Sequence, residues 1–531
     1  MNDFHLNSID AGVAAAYVLG LVGLALVSRL KITTLKQQFL AAGQARWPVV
    51  GFTLYAATLS SSALIGVPGS AYAHGISVYN YDWVAVLVLT LFCAVVLPTY
   101  LSSGVFTVPE FLEKRYGRFA RTYVSGLSIA LMTFVDTAGL LFAGSLLFRL
   151  LFPALSLFEV GSLLSLCAGL FLVAGGLRAV LITDTVQAVF LIAVCAVLSV
   201  LALNAAGGWD ALSAYGAAHG DALRLKLVRP ASDEVLPWTG LVTGLPLIGF
   251  YFWCTNQYMV QKVLAAKSLD HGRWGSLFAG ALKLTTLGLL VVPGLCAPLL
   301  FPALEAPDQT FFALVFRLLP TGVVGLVAGV FLVTILSSLA SNYNAAATLV
   351  TLDFLKVHRP QTSEARLLLA GRLAIFAVVV LSVLWLPVIG AIQDTLWNYL
   401  QAMLAYFVPP VATLFLMGLF WKRANAFGAG CSLILGTSLS LGLFVGVEIL
   451  DAIPLHFLVA AFVIFVASGS ALIVGSLMRP APEASVTALV FTRTVWDRET
   501  EALKGVKWYK NYRWLSVGLL LFTAVLVAPL L

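Results

Sequence analysis

The sequence predicts an all-α polytopic membrane protein with about fourteen transmembrane helices. Of its 531 residues, 60% are hydrophobic and 10% are charged, and the mean hydropathy is +0.98. A chain of this composition cannot form a water-soluble surface. Apolar stretches recur along its whole length, and a hydrocarbon core of about 30 Å needs roughly 20 helical residues. Strands of a membrane barrel would instead show alternating segments of about ten residues, so helices are predicted.

The predicted spans follow one another from the first residues to the last. They lie at approximately 11–29, 48–76, 81–104, 119–151, 158–176, 179–204, 237–263, 274–302, 321–351, 366–393, 395–421, 426–447, 453–478 and 512–531. The six cysteines fall inside these spans without the spacing of metal ligands or of a disulfide framework, which predicts small core residues.

Basic residues outside the spans concentrate in alternate loops. One set of loops comprises 29–46, 114–121, 178, 262–273, 356–366, 422–423 and 479–513. The opposite loops hold Arg224, Lys226 and Arg229 in the long 205–236 connection. Because Lys and Arg are retained on the cytoplasmic side, this pattern predicts a cell (inner) membrane protein with both termini on the outer face. The net charge of +7 is then a topology signal, and no nucleic-acid partner is expected.

The second apolar span contains "YAATLSSSALIGVPGSAY", in which four hydroxyl residues precede a Gly-x-Pro-Gly break. A lipid-facing break would leave backbone groups unsatisfied at several kcal/mol each, so a broken helix is expected only beside a cavity or buried in protein. A second interruption, "GLPLIGF", lies at 244–250. Paired broken helices at matching positions predict an inverted-repeat transporter with its site at the membrane midplane. The alternative is that Gly and Pro are simply more frequent in membrane helices.

A third polar stretch, "TILSSLASNYNAAATLVTLDF", begins at Thr334. Thr334, Ser337, Ser338 and Ser341 share one helical face at spacings of three, four and seven. Hydroxyls and freed backbone carbonyls suit a small monovalent cation, because divalent ions usually recruit carboxylates. Packing positions for small residues on a membrane helix remain the alternative.

This stretch resembles the sodium-site helix of the sodium:solute symporter family. "TVPEFLEKRYG" at 107–117, "GGLRAVLITDTVQ" at 175–187 and the segment 252–283 are similar to that family's signatures, especially in its sodium/sugar branch. The resemblance implies a LeuT-type fold with a five-plus-five inverted repeat. The transport core would then span 48–421, with a peripheral helix and inner loop in 1–47. Three peripheral helices and a basic cytoplasmic loop would follow in 422–531.

The resemblance also implies a sodium site between the first broken helix and the eighth core helix. Its ligands would be the carbonyls of Ala56 and Leu59, the carbonyl of Thr334, and the hydroxyls of Ser337 and Ser338. Members with a second sodium ion use an aspartate and three serines, which correspond to Asp184, Ser337, Ser341 and a position occupied here by Ala340. One sodium ion is therefore expected. Asp184 would act through its charge or in gating, or would pair with Arg178 or a neighbouring basic residue.

The solute site implied by the resemblance is only partly matched. Gln401, Lys283 and Asp82 correspond to polar residues of the sugar branch, and Ser60 lies beside the first break. Three further positions differ from the branch, and they are Ala63, Gly249 and Phe252. Phe252 could cover an apolar ring face. Asp136 is an additional carboxylate that could pair with Lys283, bind a polyol hydroxyl, select an amine, or serve structure alone.

The predicted function is sodium-coupled import of a neutral polyhydroxylated solute, a monosaccharide or cyclic polyol, by alternating access. An amino acid or monocarboxylate is the competing solute class, and a transport-inactive sensor is the competing function. No enzyme is predicted, because the six histidines are scattered and no nucleophile, base or metal constellation occurs. The expected partners are Na⁺, the solute and the lipid bilayer, with no obligate protein partner.

Overall fold

The computed structural model describes residues 7–28, 44–105, 107–151, 154–221, 223–392, 395–487 and 489–531, which are mostly helical. Long apolar helices dominate, and short polar helices connect some of them. In chain order they are α1 (Ser8–Ser28), α2 (Trp47–Thr58), α3 (Ser61–His74), α4 (Ile76–Ser103), α5 (Val108–Tyr116), α6 (Arg118–Arg149), α7 (Leu157–Ala205), α8 (Gly208–Ala218), α9 (Trp238–Val242), α10 (Gly244–Phe250), α11 (Gln257–Leu264), α12 (Leu269–Leu300), α13 (Thr310–Leu318), α14 (Val323–His358), α15 (Glu364–Ile392), α16 (Leu396–Phe407), α17 (Pro409–Phe420), α18 (Ala426–Ile449), α19 (Phe457–Leu477), α20 (Arg493–Ala502) and α21 (Tyr512–Leu530).

The number of spans is lower than fourteen when it is judged by helix length and composition. Within the described residues, nine helices are long and apolar enough to cross a membrane, and two bent pairs raise the number to eleven. The remaining predicted spans fall on the shorter apolar pieces Ser8–Leu24 and Leu157–Leu170 and on the broken series α9–α11. Two predicted spans, 158–176 and 179–204, both lie in α7. Short and broken segments therefore account for the difference.

The first broken helix bends where its backbone carbonyls are freed. α2 and α3 meet at an angle of 56° around Leu59 and Ser60. The expected break at Gly-x-Pro-Gly is wrong, because α3 continues through Pro68. A Cβ on Gly69 would lie 2.8 Å from the Pro307 carbonyl oxygen, and one on Gly294 would lie 2.5 Å from that of Pro68. These glycines therefore permit close helix packing rather than a turn.

The second interruption also lies later than predicted. "GLPLIGF" forms the regular helix α10, and the break follows in the wide turn Tyr251–Thr255 and at Asn256. Asn256 is extended, with φ −70° and ψ 120°, and its side chain accepts a hydrogen bond from the Tyr258 N–H at 2.9 Å. This side-chain cap starts α11, which explains why the helix restarts there. A third bend of 53° separates α16 from α17 at Val408, which Pro409 and Pro410 follow directly.

Burial separates an inner set of helices from an outer one. The most apolar window of α14 is 78% buried within the protein, whereas those of α18 and α21 are 28% and 17% buried. α14 packs against α1 and α7, and α2 packs against α7 and α12. The sodium-site candidates on α14 consequently lie at the centre of the bundle. The proposed limits of the core at residues 48 and 421 remain a prediction.

Hydrogen bonds hold both described chain ends against other parts of the chain. The Asp10 carboxylate accepts hydrogen bonds from the N–H groups of Gly322 and Gly325, at 2.7 and 2.9 Å, and thereby caps α14. At the C-terminus, Leu531 accepts a hydrogen bond from the Lys226 ammonium at 2.7 Å. Tyr72 joins two further connections, because its hydroxyl donates to the Phe301 carbonyl and its own carbonyl accepts from Arg224.

Candidate functional site

A cavity of about 140 Å³ lies where the broken helices meet α4, α6, α12 and α14. One water needs roughly 10–15 Å³, so there is room for a small solute. Its walls include every residue that the sequence suggested for solute binding. These are Ser60, Ala63, Asp82, Asp136, Gly249, Phe252, Lys283 and Gln401. Residues separated by more than 340 positions in the chain thus face one space.

Charge and aromatic surface are both present in this cavity. The Lys283 ammonium contacts the Asp82 carboxylate, and both side chains are buried. Lys283 therefore pairs with Asp82 and not with Asp136, which was one of the partners considered from the sequence. Phe252 and Trp253 meet edge to face, with ring centroids 5.3 Å apart. The walls consequently offer hydrogen-bonding groups together with apolar ring faces, the combination that orients a small polar ligand.

The predicted sodium ligands lie on two buried segments beside this cavity. The Leu59 N–H donates to the Tyr55 carbonyl at 2.9 Å, and helical bonding resumes with Leu64 donating to Ser60. The carbonyls of Ala56 and Leu59 therefore lie at the C-terminal end of α2, where carbonyls have no intrahelical donor.

On α14, Thr334, Ser337, Ser338 and Ser341 are all buried. The Thr334 hydroxyl donates to the Val330 carbonyl at 2.8 Å, and the Ser341 hydroxyl has no hydrogen-bond partner within the described chain.

A buried ion pair adjoins the serine face. The Lys262 ammonium lies 2.6 Å from Asp184 Oδ2, and the Ser337 hydroxyl donates to Asp184 Oδ1. Lys262 and Asp184 are 1% and 4% exposed. Since a hydroxyl that donates its proton keeps its lone pairs, Ser337 remains able to contact a cation. The side chain of Arg178, the other partner considered for Asp184, lies outside the described residues.

The structure corrects the placement of Lys262 and adds residues that sequence reasoning missed. Lys262 was assigned to a cytoplasmic loop, but it lies inside the bundle on α11. An intramembrane lysine indicates a functional site by default, and that signal was available in the sequence. Asn342 and Trp397 also line the cavity, whereas Asn256 lies at the second break beside Asp136. Whether these side chains face the cavity depends on how each helix is rotated about its axis, and the sequence pattern alone did not predict that rotation.

Comparison with known proteins decides the family. Residues 38–436 match the sodium:solute symporter family. The chain belongs to this family. The sodium/mannose cotransporter SLC5A10 of Bos taurus is 32% identical over 95% of this chain and 92% of its own length. The sodium/myo-inositol cotransporter 2 of Mus musculus is 35% identical over 82% of this chain and 70% of its own. The sodium/glucose cotransporter 1 of Ovis aries is 31% identical over 81% and 71%.

A solved structure supports the fold. A Na⁺-coupled sialic acid symporter in a substrate-bound, outward-open state superposes with a TM-score of 0.79, at 19% identity, over 91% of this chain and 99% of that one. The predicted LeuT-type fold is confirmed, as is the prediction of a transporter rather than an enzyme. The protein is a multi-pass, sodium-coupled solute symporter, and Na⁺ is its co-transported ion.

Proposed function

We propose that this symporter imports a monosaccharide or cyclic polyol together with one sodium ion by alternating access. The observation that supports the solute class most directly is the single cavity in which Gln401, Lys283 and Asp82 lie together with the faces of Phe252 and Trp253. Gln401 and Lys283 provide donors, while Asp82 and Gln401 provide acceptors, as a hydroxyl-rich ligand requires. The relatives named for mannose, myo-inositol and glucose agree with this class.

The proposal places sodium between α2 and α14. Ala56, Leu59 and Thr334 would provide carbonyls, and Ser337 and Ser338 would provide hydroxyls. Asp184 would act indirectly, because its carboxylate accepts a hydrogen bond from the Ser337 hydroxyl and holds it in place. Both termini would face outward in the cell membrane, in agreement with the distribution of basic loops.

Uptake of radiolabelled solutes into proteoliposomes tests the solute class. We expect sodium-driven uptake to be inhibited by millimolar sugars or inositols and to disappear when choline or potassium replaces sodium. Amino acids and monocarboxylates are the matched competitors. If they inhibit uptake and the polyols do not, the sugar proposal is wrong.

Gln401→Ala is expected to raise the concentration of solute needed for half-maximal uptake by about two- to tenfold. A site built to hydrogen-bond a hydroxyl loses its discrimination when that partner is removed, and one hydrogen bond to a polar ligand contributes roughly 0.5–1.5 kcal/mol. Sodium binding measured without solute should remain close to wild type, because Gln401 is not among the proposed ion ligands. Equal losses of solute and sodium affinity would contradict this division of roles.

A flux ratio of one sodium ion per solute is expected. Ala340 is fully buried and offers no oxygen where two-sodium members have a serine. The Lys262 ammonium, moreover, already balances the charge of Asp184 at 2.6 Å. Parallel uptake of labelled sodium and labelled solute under voltage clamp measures the ratio. A ratio of two would require a further ion site, with Asp184 and Ser341 as its first candidates.

A further inference from the structure

We propose that Asp136 forms an ammonium-binding subsite in the solute cavity, so that the symporter prefers a polyhydroxylated solute bearing a protonated amine. This inference rests on the proposed function and narrows its solute class to aminodeoxy sugars or amino-substituted cyclic polyols. Asp136 is part of the widened helical turn Met132–Thr137 in α6, and it lines the cavity wall.

The hydrogen bonds around Asp136 leave most of its carboxylate free. A carboxylate has about four acceptor positions. The Asn256 amide faces it from the second broken helix. Asn256 Oδ1 accepts a hydrogen bond from the Tyr258 N–H. The NH₂ group of Asn256 is therefore the end of the amide that donates to Asp136. In the part of the chain that the structure describes, no Lys or Arg forms an ion pair with Asp136.

Asp82, the other carboxylate of the cavity, differs from Asp136 because it has a cationic partner. Asp82 is paired with the ammonium of Lys283, so that pair is neutral as a unit. The cavity wall therefore holds two carboxylates and one ammonium. An uncompensated charge inside the membrane is costly, and such groups are balanced by a partner or a ligand. A second ammonium, supplied by the solute, would balance Asp136 as Lys283 balances Asp82.

A second acceptor points to the same kind of ligand. Asn342 on α14 lines the cavity, is 2% exposed, and has an Oδ1 atom without a hydrogen-bond partner among the described residues. Asp136 and Asn342 Oδ1 are both acceptors, so the group that would satisfy them is a donor. A protonated primary amine offers three N–H donors and a positive charge, whereas a hydroxyl offers one donor and no charge. The amine is therefore favoured over the hydroxyl of the same size.

Inhibition by matched pairs of compounds tests this subsite. Each pair is a sugar or inositol and its analogue with one hydroxyl replaced by an amine, and the panel places the amine at each position in turn. Measurements are made below the pKa of the amine. In the wild type we expect at least one aminated analogue to inhibit uptake about tenfold or more strongly than its parent compound.

Three variants separate the charge of Asp136 from other effects. Asp136→Asn keeps the shape and should reduce the ratio of inhibition constants to about one, whereas Asp136→Glu should retain a preference for the amine. Asp210→Asn makes the same chemical change on an exposed helix and should keep the wild-type ratio. The ratio is informative even if a variant transports slowly, because both compounds are compared in the same protein.

The outcomes distinguish this inference from the proposed function. If parents and aminated analogues inhibit the wild type equally, or if the preference persists in Asp136→Asn, the ammonium subsite is refuted and the polyol symporter stands. If Asp136→Asn changes sodium affinity and not the amine preference, Asp136 binds the ion instead and the subsite is likewise refuted. If neither parents nor analogues inhibit uptake, the proposed solute class itself fails.

Discussion

Replacing Lys262 with methionine is expected to abolish sodium-coupled uptake and to lower the free energy of unfolding by about 3–5 kcal/mol. The Lys262 ammonium lies 2.6 Å from the Asp184 carboxylate, and both groups are buried inside the bundle. Methionine fills a similar volume but leaves Asp184 without a cation, in a place where water cannot stabilise its charge. Unfolding in detergent, followed by tryptophan fluorescence, and uptake into proteoliposomes measure the two effects.

The matched controls for Lys262 keep the charge or remove both charges. Lys262→Arg should retain most of the stability, because the guanidinium can still pair with Asp184. The double variant Lys262→Met/Asp184→Asn should recover stability relative to Lys262→Met, since neutral replacements of a buried pair are often tolerated. The pairwise coupling then follows from a double-mutant cycle. Equal stability of Lys262→Met and the wild type would show that Asp184 is compensated by another group.

Both the architecture and the cavity residues could be predicted from the sequence, but from different kinds of signal. The composition predicted a membrane protein. The lengths of its apolar stretches predicted spanning helices, because the thickness of the bilayer sets the length that such a helix needs. Most of the eight solute-site candidates came from positions that correspond to the family's, whereas Asp136 was chosen as an additional intramembrane carboxylate. The structure brings all eight to one cavity. The position of each break was harder to predict. α3 continues through Pro68, whereas the bend forms at Leu59 and Ser60, and Ser60 is the N-cap residue of α3.

The sequence also could not predict which buried charged side chains pair with each other. Lys283 could reach either Asp82 or Asp136, and only helix rotation shows that it pairs with Asp82. Lys262 was predicted to lie in a cytoplasmic loop, so its burial beside Asp184 was not anticipated. Such pairs depend on tertiary geometry rather than on local pattern, and they are the features of this site that most affect its electrostatics.

Ser338→Ala is expected to weaken sodium affinity about ten- to a hundredfold. Removing a hydroxyl ligand leaves the cation under-coordinated, and a lost contact to a charged group costs roughly 1.5–3 kcal/mol, at about 1.4 kcal/mol per factor of ten. Ser338 is the sharper test than Ser337, because Ser337 donates to the Asp184 carboxylate and its replacement would alter the buried ion pair, whereas the Ser338 side chain, among the described residues, bonds only the neutral Tyr258 side chain. The sodium concentration for half-maximal uptake, with choline as the replacement ion, measures the effect.

The matched control for Ser338 is a serine of similar burial elsewhere in the bundle. Ser432 lies on the peripheral helix α18, is fully buried, and has a hydroxyl without a hydrogen-bond partner in the described chain. Ser432→Ala therefore removes the same group without touching the proposed ion site, and its sodium affinity should stay at the wild-type value. Ser338→Thr keeps a hydroxyl and should fall between the two. Because a general packing defect would lower uptake in both alanine variants, a selective loss in Ser338→Ala identifies an ion ligand. Unchanged sodium affinity in that variant would remove the ion from this face of α14.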